Sequence, residues 1–412
     1  MIKFLRVLAR TIGLWAVLAV TPAAAQDMRA LAQVNADASA VRSGWGGRLE
    51  MTLALTQAVP WRVSVAADPP RLIMDFREVA WQGVDMGTVL TADRITRVRT
   101  GLMQPGWSRL VAELNGPYVV DTAGMATDPS EGTAQISVFL KPATPEDVVA
   151  AETAAQSTQW ARKLPLQQPN VRPRQTGTRD LRVVLDPGHG GIDSGAERQG
   201  LKEKDLMLTF ARELQEVLLR RGGFEVLMTR TDDSFISLSE RVSFARAVEA
   251  DVFLSLHADA IAEGAASGAT IYTLSENASD AVSARLAATH ARDDLILGAD
   301  LEHHDDEIAR LLMELARREV TPRAAHLADA LVEGIGQAVG RLHKRPSLQA
   351  EFVVLKAPDI PSALIEVGFM SDPRDLANLQ NPTWRAKAAL GIVNALESWA
   401  ITDAAQALQL RQ

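Results

Sequence analysis

Four residues of this 412-residue chain stand where their side chains could do chemistry together: His189, Glu203, His257 and Glu366. His189 lies in Leu181-Arg-Val-Val-Leu-Asp-Pro-Gly-His-Gly-Gly191, an apolar run that closes in a glycine-rich loop. His257 ends a second apolar run, Asp251-Val-Phe-Leu-Ser-Leu-His257-Ala-Asp259, and Glu366 interrupts a third, Ser362-Ala-Leu-Ile-Glu366-Val-Gly-Phe-Met370. Glu203 heads a segment whose apolar positions Leu206, Phe210, Leu214 and Val217 recur at helical spacing, and it lies on the extension of that face. Two histidines and a glutamate can hold a catalytic zinc ion with one position left open for water, and a second glutamate nearby can take that water's proton. Each residue alone also has a plainer reading, as a turn histidine for His189 or a first-turn glutamate favoured by the helix dipole for Glu203. The glycine-rich loop alone would equally suit a phosphate, although it lacks the Lys-Ser/Thr ending of a P-loop. Glu366 is harder to dismiss, because a carboxylate buried in a core strand is costly unless it has a partner or a task.

The elements that must position these residues follow from the hydrophobic pattern. From Leu181 onward strands alternate with helices, which predicts an α/β domain with a mostly parallel sheet flanked by helices. Its strands are expected at Leu181 to Asp186, Phe224 to Thr229, Asp251 to His257, Ala269 to Leu274 and Ser362 to Val367. Helices are expected from Glu203 to Arg221, from Leu238 to Glu249 and from Trp384 to Ala400. In open α/β sheets sites lie at the carboxyl ends of the strands, which is where both histidines fall. Before this domain, short alternating segments between Leu49 and Leu140, punctuated by Pro69-Pro70, Gln104-Pro105-Gly106 and Asn115-Gly116-Pro117, predict a small all-β sandwich. The resulting organisation is a sandwich over 27–141, a proline-bearing linker over 142–179 and a catalytic domain over 180–402.

Bulk properties narrow the class. Lys3, Arg6 and Arg10 precede an apolar run from Ile12 to Val20 and a small-residue Ala23-Ala24-Ala25 site, the pattern of a cleaved secretory signal over 1–25. The run is too short to cross a bilayer, so no membrane span is expected in the mature protein. Losing these three cations moves the formal charge from −8 to −11, which makes nucleic acid an improbable partner. With no cysteine in the chain, an exported protein has neither disulfides nor thiolate ligands, and any metal must be held by His, Asp and Glu. The remaining histidines, His290, His303, His304, His326 and His343, fall in or near helical stretches away from strand ends and are expected to be structural.

In Asp186-Pro-Gly-His-Gly-Gly191, Leu201-Lys-Glu-Lys-Asp205, Ser255-Leu-His-Ala-Asp259 and Pro361-Ser-Ala-Leu-Ile-Glu-Val-Gly-Phe369 the chain strongly resembles the zinc-dependent N-acetylmuramoyl-L-alanine amidases, in family order. The resemblance covers roughly residues 181 to 400 and implies that family's α/β fold. It also implies His189, Glu203 and His257 as zinc ligands, Glu366 as the catalytic glutamate, and peptidoglycan as the substrate. Ile95-Thr-Arg-Val-Arg-Thr-Gly101 and Gln104-Pro-Gly-Trp-Ser-Arg-Leu-Val-Ala-Glu-Leu114 look like part of an AMIN domain, a cell-wall-targeting module. Arg94, Arg97, Arg99 and Trp107 are its candidate contacts to an acidic glycan peptide, or else a solvated basic strand face.

A helical insert at about 279–318 is similar to the regulatory helix of the division-associated members. There a carboxylate such as Glu302, Asp305, Asp306 or Glu307 is expected to cover the zinc until a LytM-type activator withdraws it. A periplasmic enzyme of daughter-cell separation is the implied setting. The competing readings are a zinc peptidase acting on stem peptides and a catalytically silent wall-binding protein.

Overall fold

The computed structural model describes residues 31–409 apart from 78, 82, 105, 129–131, 159–172, 262–265 and 297–306. The expected export signal lies outside the described residues, as do Glu302, Asp305 and Asp306 and the side chain of Glu307. No described helix is long and apolar enough to cross a membrane.

Residues up to Pro142 build two sheets. One has the strand order β5-β1-β2-β9-β8 and contains β1 (Ala32–Ser43), β2 (Leu49–Leu55), β5 (Val79–Ala80), β8 (Tyr118–Thr127) and β9 (Ala134–Pro142). The other, ordered β3-β4-β7-β6, contains β3 (Trp61–Ala67), β4 (Pro70–Arg77), β6 (Ile95–Gln104) and β7 (Trp107–Leu114). In β2 every second residue, from Leu49 to Leu55, is buried, the alternation of a sheet with one face on a core. Leu53, Leu72, Phe76, Leu110, Ile136 and Val138 from the two sheets fill that core. A one-turn helix α1 (Met86–Val89) closes one side, and α2 (Pro145–Thr158) follows β9.

The second half is organised around a six-stranded sheet of order β13-β10-β14-β17-β15-β16. It comprises β10 (Leu181–Pro187), β13 (Phe224–Met228), β14 (Val252–His257), β15 (Ala269–Leu274), β16 (Leu342–Ala350) and β17 (Ser362–Glu366). Pairing is parallel except between β15 and β17. A two-strand ribbon, β11 (Glu197–Arg198) with β12 (Leu201–Lys202), leads into helix α3 (Glu203–Arg221). The other helices are α4 (Leu238–Ala247), α5 (Ala281–Ile296), α6 (Glu307–Val339), α7 (Pro373–Gln380) and α8 (Pro382–Gln409).

Both faces of this sheet are covered, which explains why its strands read as unbroken apolar runs. Val183, Leu185, Leu254, Leu256, Ala363 and Ile365 pack with α3, α6 and α8, while the alternate residues Val184, Phe253 and Leu364 pack against Ala245 of α4 and Leu286 and Ala287 of α5. With β10, β14 and β17 side by side and parallel, their carboxyl ends form one edge, and His257 and Glu366 are direct register partners on it.

Candidate active site

The expected residues converge at that edge. Glu203, the first residue of α3, is completely buried, and its carboxylate is committed on both oxygens. Oε1 accepts from the Ala258 amide at 2.8 Å and lies 3.1 Å from Nδ1 of His257. Oε2 accepts from the Ala196 amide at 3.0 Å and lies 3.2 Å from Nε2 of His189. The His189 and His257 rings meet edge to face, with centroids 4.9 Å apart. His189 itself takes a left-handed backbone conformation, φ 59°, which turns its ring back from the loop. Room for these rings depends on two glycines: a Cβ at Gly188 would stand 2.4 Å from Cε1 of His257, and one at Gly195 would stand 2.6 Å from Cδ2 of His189.

Oε1 of Glu366 is buried and makes no hydrogen bond, and Nε2 of His189 meets only the Glu203 carboxylate at 3.2 Å. A buried polar group without a partner is costly. Nδ1 of His189 is engaged by Oδ2 of Asp193 at 2.8 Å, an outer carboxylate that orients the ring so that Nε2 turns toward Glu203. Glu366 accepts from the Asp259 amide through Oε2 at 3.0 Å and leaves Oε1 exposed to the cluster. Three sets of donor atoms lie within 4.8 Å of one another: His189, His257 and His290; His189, Glu203 and Asp259; and His257, Asp259 and Glu366. The donors are all nitrogen and oxygen, a set that fits zinc.

The charge states follow from burial and neighbours. Burial disfavours a charged His189, but the carboxylates of Asp193 and Glu203 outweigh it and raise its pKa well above the usual value. Burial likewise opposes ionisation of Glu203, and the two histidines overcome it, holding this carboxyl well below its ordinary range. Glu366 goes the other way, driven up by burial first and then by the negative charges of Asp259 and Glu203. His257 is pulled down by burial and by His290.

Besides Asp193, three residues of the site were not anticipated. His290, expected to be structural, is instead buried in the cluster: its ring stacks on His257 at 4.5 Å between centroids, and Nε2 lies 2.7 Å from Oδ2 of Asp259. The signal for it was present, since Ser283, Leu286, Ala287, His290 and Asp294 form the buried stripe of α5 at helical spacing. The loop carrying His189 is held by two arginines. Arg241 donates to Oδ1 of Asp186 at 2.7 Å and to the carbonyls of Pro187 and His189, each at 2.8 Å. Arg230 donates to the carbonyls of Pro187 at 3.0 Å and Gly188 at 2.8 Å, and burial followed by repulsion from Arg241 lowers its pKa to about 10. Arg230 follows β13 at the same sheet edge as the histidines, a position that could have marked it. Nothing in the local pattern around Arg241 distinguishes it from a surface helix residue.

Fold and site together define a class: an α/β enzyme whose buried imidazole and carboxylate cluster suits metal-assisted hydrolysis. The family model for N-acetylmuramoyl-L-alanine amidase matches residues 183–398. The chain is 36% identical over 228 residues to N-acetylmuramoyl-L-alanine amidase AmiA of Salmonella typhimurium, covering 55% of this chain and 78% of that one. To amidase AmiC of Escherichia coli O6:H1 it is 30% identical over 361 residues, 85% of this chain and 86% of the relative. Among solved structures, an N-acetylmuramoyl-L-alanine amidase from Clostridium difficile 630 aligns over 54% of this chain and 97% of its own, at 26% identity and a TM-score of 0.40. The chain belongs to the N-acetylmuramoyl-L-alanine amidase family.

Proposed function

We propose that this amidase cleaves the amide between the lactyl group of N-acetylmuramic acid and the L-alanine of the stem peptide in peptidoglycan, with zinc held by His189, Glu203 and His257 and with Glu366 as the general base. The observation that carries this reading is the convergence of His189 and His257 on the buried Glu203 carboxylate, at 3.2 Å and 3.1 Å, with Glu366 joined to the cluster through a donor set shared with His257 and Asp259. Bound zinc would supply Lewis acidity, polarising the carbonyl oxygen and bringing the pKa of water down to about 7.

The protein's own groups do the rest. Asp193 orients the His189 ring through Nδ1 so that Nε2 turns toward Glu203, and Glu203, fixed by two backbone amides, lies against both imidazoles. Glu366, whose Oε1 makes no hydrogen bond within the site, can accept the proton of the attacking water and hand it to the departing amine. Replacing Glu366 by Gln should leave zinc content at the wild-type level and abolish release of stem peptides from labelled peptidoglycan. Retained turnover would remove Glu366 from the mechanism. Liberation of intact stem peptides, rather than of fragments cut within them, distinguishes an amidase from a zinc peptidase, and release of any product excludes a silent wall-binding protein.

The same site is covered in a resting state by α5, with His290 in the position where substrate would approach. Among the described residues His290 is the covering group; the side chains of Glu302, Asp305, Asp306 and Glu307, the carboxylates expected there, lie outside them. An activator of the LytM type, implied by the family resemblance, would withdraw the helix. The N-terminal sheets serve as the AMIN-like wall-binding module, and the enzyme works in the periplasm during daughter-cell separation.

A further inference from the structure

The N-terminal sheets touch the catalytic domain at the mouth of the site. Strand β6 crosses it: the Leu102 carbonyl accepts from the Ile192 amide at 3.1 Å, in the loop that follows His189. Met103 and Val111 pack with Ile192 and Phe235 in a small apolar cluster that spans the two domains. The approach is close enough to need glycine on both sides. A Cβ at Gly101 would stand 2.4 Å from the Ile192 Cα, and one at Gly191 would stand 1.9 Å from the Leu102 carbonyl oxygen. A few residues back along β6, Arg99 reaches the other side of the mouth and donates to Oδ1 of Asp293 at 3.0 Å. Asp293 belongs to α5 and lies one residue short of a full turn beyond His290. Both partners are largely withdrawn from water, with side-chain exposures of 11% and 26%. Between these two anchorages a cleft of about 780 Å³ is lined by both domains, including Arg97, Trp107, Asp193, Asp259 and His290.

We propose that the N-terminal sandwich is a latch on the active site: β6 docks on the His189 loop, and Arg99 clamps the insert helix so that His290 stays in the cluster. Arg99 acts through Asp293 and α5 and is a positioning residue. The argument is one of geometry. An isolated helix of the length of α5 is marginal in water and is held by its tertiary contacts. Arg99 supplies a charged, partly buried contact one turn from the histidine that the helix must hold in place. Release of the sandwich and uncovering of the site are thereby the same event, so a ligand that pulls β6 off the catalytic domain also frees α5.

This inference rests on the covering role given to α5 above, and the test separates the two. In the full-length, zinc-loaded protein, Arg99→Ala should speed amide hydrogen exchange across 281–296 about tenfold, the effect of losing one charge-assisted hydrogen bond. Exchange within β2, β4 and β9 should be unchanged, showing that the sandwich remains folded. Arg99→Asp should do the same, and adding Asp293→Arg to it should restore protection. Gly101→Ala, which lifts β6 and with it Arg99 from the catalytic domain, should reproduce the loosening of 281–296 without changing either residue of the ion pair. Faster exchange with higher unstimulated peptidoglycan release supports both latch and cover. Faster exchange without higher release supports the latch and refutes the covering role of α5. Unchanged exchange across 281–296 in Arg99→Ala and Arg99→Asp overturns the latch.

Discussion

Replacing His290 by alanine separates two roles that its position allows, a removable cover and a permanent ligand. The side chain is buried, makes one hydrogen bond of 2.7 Å to Asp259 and stacks on His257. Burial opposes its protonation, but the Asp259 carboxylate prevails and raises its pKa, and the bond has a carboxylate as its partner. A hydrogen bond to a charged partner is worth about 1.5–3 kcal/mol. Removing it should shift the balance between covered and open forms by roughly 10–150-fold, since about 1.4 kcal/mol is a factor of ten. With α5 otherwise held by Leu286, Ala287 and the Arg99 contact, the lower half of that range is expected. The assay is release of soluble fragments from labelled peptidoglycan without activator, alongside metal analysis of the same samples. A cover predicts a full equivalent of zinc and release raised about tenfold or more. Loss of zinc would make His290 a resident ligand, and unchanged release with zinc retained would show that it obstructs nothing.

Two further predictions concern the support of the site and its helix. Arg241→Met should cost about 3–5 kcal/mol in denaturant unfolding, because it strands the fully buried Asp186 carboxylate. It should also weaken zinc binding through the displaced His189 loop, and a loss under about 1 kcal/mol would show that Thr229 and Ser255 suffice to hold Asp186. Asp294, on the buried stripe of α5, has its pKa pushed up to about 6, chiefly by burial. Because its folded pKa lies above its unfolded one, the contribution is fully favourable below about pH 4 and is lost as pH rises through about 6. It amounts to roughly 3 kcal/mol at most, from about 1.4 kcal/mol for each pH unit. Asp294→Asn should flatten the stability profile between about pH 4 and 6, and a profile identical to wild type would refute the assignment.

Much of the catalytic half was legible because its elements are locally consistent. β15 and α3 occupy the expected spans, and β10, β13, β14 and β17 differ from theirs by one residue at an end. Their apolar content is decided by burial on both faces, which a sequence displays directly. Edges were harder to see. β1 carries polar residues through its middle, and β16 reads Leu-His-Lys-Arg-Pro-Ser-Leu-Gln-Ala, with burial reserved mainly for Leu348 and Ala350. Neither has the pattern of a core strand, because β16 is an edge and β1 is flanked by β5 only at Ala32 and Gln33, so each needs only part of one face covered.

The candidate site residues were legible from the chain alone. His189, Glu203, His257 and Glu366 are set by motif and by the ends of buried strands, and parallel neighbouring strands bring their carboxyl ends to one place whatever else the chain does. The absence of cysteine restricted any metal to nitrogen and oxygen ligands. Only the tertiary structure decided what surrounds that set. That His290 faces the site depends on how α5 packs on the sheet, with Leu286 and Ala287 buried beside Phe253 and Leu364. That Arg241 and Arg230 brace the loop, and that Arg99 meets Asp293 across 194 residues of chain, depends on contacts between elements far apart in sequence. No local periodicity encodes such pairings, because their energy arises only when burial removes both partners from water.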